Sequence, residues 1–164
     1  MPLGFYGVPL RGSSCEMTKP PALIPEFSVS DWRASCAFYC DFLGFTVDYT
    51  RPEDGFAMLA LGPARLMVDQ IGTGRTFDDG HLPDGYPFGR GLNIQIEVPD
   101  VMPPHDRLVA AKHAIYRPLE DKWYRQNNME TGNRQFVVAD PDGYLIRLFQ
   151  DLGTRKSTCD PAPL

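Results

Sequence analysis

A chain of 164 residues, 43% hydrophobic and 23% charged, has the balance of one folded domain with a real core, and is too short for two ordinary domains. Its formal net charge of −5, with no basic run, argues against nucleic-acid binding, which rests on Lys and Arg meeting phosphates, and is compatible with a cationic small ligand. Sixteen prolines and fifteen glycines favour short elements joined by turns; no apolar run is long enough for a membrane helix, and the first ten residues lack a basic stretch followed by a continuous apolar one, so a cytoplasmic location is expected.

Residues 1–22 are read as an N-terminal arm, within which Met17 offers an alternative start. The first element begins near Leu23: "LIPEFSVSD" alternates as a strand does, with Phe27 and Val29 on one face and Ile24, Glu26 and Ser28 on the other. Asp31 stands where a helix N-cap belongs, "DWRASCAFYCDFLGF" reads as about three helical turns, and Gly44 is the stop. Three short strands follow, "FTVDYTR", "GFAMLALG" and "ARLMVDQI", separated by turn chemistry at Pro52–Gly55 and Gly62–Pro63. Cys36 and Cys40, four apart, are expected to be small buried apolar residues of that helix, and with Cys15 and Cys159 they make no disulfide framework.

Residues 72–90, rich in Gly, Asp and Pro, have no sustained period and read as the connection between halves. "LNIQIEVPD" then alternates like the first strand and also ends in an aspartate, Asp100. "VMPPHDRLVAAKHAI" is a helix with Leu108, Val109 and Ala111 as its apolar side, and its two prolines fit only the first turn. His105 and His113 are placed on this helix facing solvent, and His81 in the connection. "RPLEDKWYRQ" is a strand or irregular edge, and "NRQFVVAD" and "GYLIRLFQD" are strands around the turn "DPDG". The order β-α-β-β-β therefore occurs twice, over 23–71 and 91–152, with a tail at 153–164. The halves superpose with Ile24–Asp31 on Asn93–Asp100, and with the last strands of the two halves matched so that Asp69 stands opposite Arg147.

These segments resemble a known family. "SVSDWRASCAFYCDFLGFTV" is similar to the strand–helix opening of the vicinal oxygen chelate superfamily, the glyoxalase, bleomycin-resistance and extradiol-dioxygenase proteins; "GRGLNIQIEVPDV" resembles the opening of their second half, and "VVADPDGYLIRLFQ" their closing hairpin. The resemblance spans about Leu23 to Asp151 and implies an α+β fold of two βαβββ modules whose curled mixed sheets surround a cup-shaped pocket. In metal-dependent members, the first and last strand of each module supply His, Gln or Glu ligands to a divalent ion.

Those four places can be tested here. Ile24 cannot coordinate, Asn93 is a poor ligand for a transition metal, and Asp69 could bind. Arg147 carries a permanent cation where the metal-dependent relatives carry Glu. One usable ligand does not make a site that needs at least three, so neither metal nor other cofactor is expected.

Strand parity assigns to the pocket a face that mixes acids, amides, an arginine and apolar groups, as small-molecule sites do. The candidate ligand-binding residues are Glu26, Met67, Asp69, Asn93, Gln95 and Arg147, joined by Trp123 and Tyr124 as stacking aromatics at the rim. Asp69 and Arg147 could seal the pocket as an ion pair or contact a polar ligand, and Phe88 and Arg90 could close it from the connection. No catalytic residue is assigned. The resemblance implies the bleomycin-resistance branch: metal-free homodimers that sequester a cationic, aromatic antibiotic. The alternative is a glyoxalase-like lyase or isomerase, or a dioxygenase, with a non-standard or absent metal site, or acid–base catalysis by Glu26.

Overall fold

A computed structural model describes residues 21–74, 80–82 and 84–157. The arm up to residue 20, with Met17 and Cys15, and the tail from 158 lie outside the described residues. The first half runs β1 (Glu26–Val29), α1 (Trp32–Ala37, continued by a π-helix over Phe38–Leu43), β2 (Thr46–Arg51), β3 (Phe56–Leu61), β4 (Ala64–Gln70). The second runs β5 (Asn93–Glu97), α2 (Met102–Ala110), β6 (Ile115–Gln126), β7 (Met129–Ala139), β8 (Leu145–Lys156). Each half forms one four-stranded mixed sheet, ordered β1-β4-β3-β2 and β5-β8-β7-β6. The first strand of each half pairs parallel to the last, and the other pairs are antiparallel. The twofold βαβββ pattern expected from the sequence is thus present, strand for strand.

Local chemistry explains the elements. The Asp31 side chain caps α1 by accepting from the Arg33 and Ala34 amides. The helix widens to a π-helix over Phe38–Leu43 and stops at left-handed Gly44. Asp100 accepts from the Met102 amide at 2.8 Å at the start of α2. Of the apolar side expected for α2, Leu108 is buried and the other two residues are not. Val109 is 53% exposed and Ala111 is also exposed, while Val101, Pro104 and Leu108 are buried. Those three recur at the helical spacing that the run Leu108–Val109 obscured.

Both modules share one core on the helix side of the sheets. Phe27, Val29, Leu59 and Val68 from the first meet Ile96, Phe136, Ile146 and Leu148 from the second, with Tyr39, Leu43 and Leu108 from the helices. Phe27 stacks on Tyr144 at 4.0 Å. Tyr39 donates to Asp140 Oδ2 at 2.8 Å, the Ser30 amide to Asp142 Oδ2, and Tyr144 to the Ser28 carbonyl. The "DPDG" turn is therefore a joint between modules as well as a hairpin.

Three further expectations change. His113 follows α2 and packs against Phe38 and Phe42, and His105 meets Phe136 edge-on, so neither simply faces solvent. Cys36 and Cys40 are free and half-buried against the core. Strand β8 continues to Lys156, so the first residues of the expected tail belong to the sheet.

Candidate functional site

Each sheet turns one face to the shared core and one away from it. On β5, β7 and β8 the outward face carries Gln95, Asn133, Gln135, Arg147 and Phe149, alternating with the core residues Ile96, Phe136, Ile146 and Leu148. Neighbouring β6 adds Glu120 and Tyr124. A hollow of about 270 Å³ opens on this face, lined by Gln95, Tyr124, Gln126, Thr131, Asn133, Arg147 and Phe149.

Its floor is a hydrogen-bonded network. Gln95 lies directly opposite Arg147 in the parallel register, and Arg147 Nη1 reaches Gln95 Oε1 at 3.5 Å and the Tyr124 hydroxyl at 3.4 Å. Gln135, 3% exposed, donates to Tyr124 at 2.7 Å and to Glu120 Oε1 at 3.0 Å. Two buried polar atoms in this network lack a partner, Arg147 Nε and Gln135 Oε1. Unmatched buried polar atoms cost stability, and sites built to take a ligand tolerate them.

Gln95, Tyr124 and Arg147 are thus brought together. Glu26, Met67 and Asp69 form a separate row on the first sheet, with Glu26 paired to Met67 and Ser28 to Asp69. Asn93 opens β5 opposite Leu145, exposed at the strand end. Trp123 leaves the group. Strand alternation sends it to the face opposite Tyr124, where its ring lies over Gly132 and under the Arg155 guanidinium at 3.9 Å. A Cβ at Gly132 would stand 2.8 Å from that ring, so this glycine makes the seat. Phe88 packs against the core and its amide donates to the Asp142 carbonyl; neither it nor Arg90 lines the hollow.

The parallel registers also limit the superposition of the halves. Asp69 pairs with Ser28 and Arg147 with Gln95, so matching Asp69 to Arg147 matches Gln95 to Ser28. Matching the capping aspartates instead sets Gln95 against Glu26. The two superpositions differ by two residues, which preserves the face and changes the partner.

Asn133, Gln135 and Glu120 were not singled out from sequence. The signal was available for two of them: in "NRQFVV", Asn133 and Gln135 sit at period 2 from each other, out of phase with core residues Phe136 and Val138.

Among the described residues no three His, Cys, Asp or Glu side chains converge as metal ligands. At the four places compared with the metal-dependent relatives stand Ile24, Asp69, Asn93 and Arg147, of which Asp69 alone ends in a carboxylate. Burial, with smaller contributions from Cys40 and Asp31, pushes the Cys36 thiol up to about 11, and burial raises Cys40 as well. Neither is a thiolate nucleophile at neutral pH.

A second hollow of about 340 Å³ lies between the modules, apolar, with Phe27, Phe45, Leu66, Ile94 and Ile146 in its wall.

The family model described as Glyoxalase/Bleomycin resistance protein/Dioxygenase superfamily matches residues 24–148. A protein named bleomycin resistance protein from Geobacillus stearothermophilus is 32% identical over 136 residues, covering 79% of this chain and 96% of its own. The protein of the same name from Staphylococcus aureus matches to the same extent. Among solved structures, TioX from Micromonospora sp. ML1 is 25% identical with a TM-score of 0.60, over 79% of this chain and 98% of its own. TnmS3, an antibiotic binding protein from Streptomyces sp. CB03234, shares the fold at 24% identity and a TM-score of 0.53, over 78% and 93%.

Proposed function

This chain belongs to the glyoxalase/bleomycin resistance protein/dioxygenase superfamily, and from that premise we propose that it is a binding protein of the bleomycin-resistance kind, which sequesters a polar aromatic small molecule such as an antibiotic without transforming it. The observation that carries this reading is the network around Arg147. A fixed cation, the amides of Gln95, Gln126 and Asn133, the Tyr124 phenol and the Phe149 ring line one hollow, with no convergent metal ligands beside it among the described residues. Such a surface orients a ligand by hydrogen bonds and holds it by ring contact. It contains no paired acid and base that would move a proton.

The ligand surface on the first sheet is Glu26, Met67 and Asp69, and on the second Asn93, Gln95, Tyr124 and Arg147, with Trp123 on the reverse face. The hollow is lined by the second sheet alone. A homodimer in the cytoplasm, with one copy's first sheet closing over the other's second, would complete a two-sided cup. Light scattering on the purified protein checks the dimer.

Titration calorimetry against a panel of aromatic antibiotics, bleomycin included, tests the function. Saturable binding at micromolar concentration, with the compound recovered unchanged, is the expected result. Absence of saturation across the panel, or turnover of a bound compound, overturns it.

A further inference from the structure

Arg147 carries more information than general polarity. A guanidinium keeps its proton at any working pH. Here it is half-buried, its Nε is shut away from solvent without an acceptor, and Nη1 meets only neutral oxygens at 3.4 and 3.5 Å, the outer limit of a hydrogen bond. Four carboxylates of this sheet are engaged elsewhere, Glu120 accepting from Gln135, Glu130 from Arg155, Asp121 from Arg134 and Asp151 from the Gly153 amide, and the fifth, Glu97, is exposed at the end of β5 opposite Phe149. None of them pairs with Arg147. Holding a cation partly out of water among neutral groups is costly, and the cost falls when an anion arrives.

Resting on the binding role proposed above, we infer that Arg147 anchors a carboxylate carried on an aromatic ring, so that the ligands of this hollow are aromatic carboxylic acids. The terminal guanidinium nitrogens match a planar carboxylate as a fork, which strengthens and orients the contact. Tyr124 and Phe149 stand in the same lining to meet the ring. The volume of about 270 Å³ lies just below the usual range for ligand pockets, roughly 300–1,000 Å³. It therefore takes one or two rings, or one arm of a larger molecule. The chain's overall charge of −5 points instead to a cation, but screening confines distant charges to roughly 8 Å, and at the hollow the nearest fixed charge is Arg147.

The test uses three probes of one shape on the full chain: 2-naphthoate, 2-naphthamide and 2-naphthylmethylammonium, titrated by ligand-observed NMR. Naphthoate is expected to bind about tenfold or more tighter than the amide, as suits a charge-assisted pair, and the ammonium weakest. Arg147→Met should abolish the preference, and Arg147→Lys, a point charge without the fork, should keep part of it. Thermal unfolding checks that both variants are folded, and the wild-type ranking stands without them. Equal binding of amide and acid, tighter binding of the ammonium, or an unchanged preference in both variants overturns the anchor. Antibiotic sequestration without a naphthoate preference removes the anchor and leaves the binding role. Naphthoate selectivity without sequestration of any antibiotic does the reverse.

Discussion

The Asp140 carboxylate accepts three hydrogen bonds, from Tyr39 Oη at 2.8 Å and from the Asp142 and Tyr144 amides at 3.0 and 2.8 Å. Its pKa is nevertheless pushed up to about 6, because burial outweighs those bonds. Unfolded, the same group titrates near ~3.9. Between the two values the unfolded chain has lost the proton that the folded chain retains, so stability contributed by this group falls as pH rises from about 4 to about 6, then stays level. Asp140→Asn keeps the acceptor for the two amides and removes the titration. Urea unfolding across that window should show a flatter dependence in the variant; an unchanged slope would assign the effect to other groups. The sequence displayed "DPDG" as a hairpin turn. It could not display Tyr39, 101 residues away, as the partner, because no local pattern encodes which distant hydroxyl a buried acid meets.

Elements were legible to the extent that periodicity alone governs them. Strand alternation placed Gln95 and Arg147 on one face, and the caps at Asp31 and Gly44 bounded α1. Helix α2 shows the limit. Leu108 and Val109 are equally apolar in the sequence, and only packing against the first module decides that Leu108 is buried and Val109 is not. Leu108→Ala should cost ~2–5 kcal/mol as a cavity in a closed core, whereas Val109→Ala should stay within about 0.5 kcal/mol. Chemical denaturation of the two variants measures the difference, and equal effects would refute the assigned face. Trp123 and Tyr124 make the same point in β6. Both are aromatic and adjacent, so composition grouped them at one rim, while the pleat separates them.

At the scale of the molecule, the repeated βαβββ order was readable because each half repeats the same punctuation. The joint between the halves was not, since it is made of contacts such as Phe27–Tyr144, Ser30–Asp142 and Tyr39–Asp140 that cross more than a hundred residues of chain. With one core and this joint, the modules should unfold together. Native-state hydrogen exchange should give β3 and β7 the same opening free energy, and Tyr144→Ala should lower both by equal amounts. Loss of protection confined to the second sheet would mean that the halves are independent.

The parallel pairing of each module's first strand with its last has a kinetic meaning. Strands β2 to β4 can zip through neighbouring turns, but β1 has no sheet to join until β4 exists, and β5 none until β8 does. Loop-closure entropy across a whole module must be met before that final pairing returns any free energy. Gln95 and Arg147 are brought opposite each other only at that step, so the candidate binding floor is among the last parts of the second module to assemble.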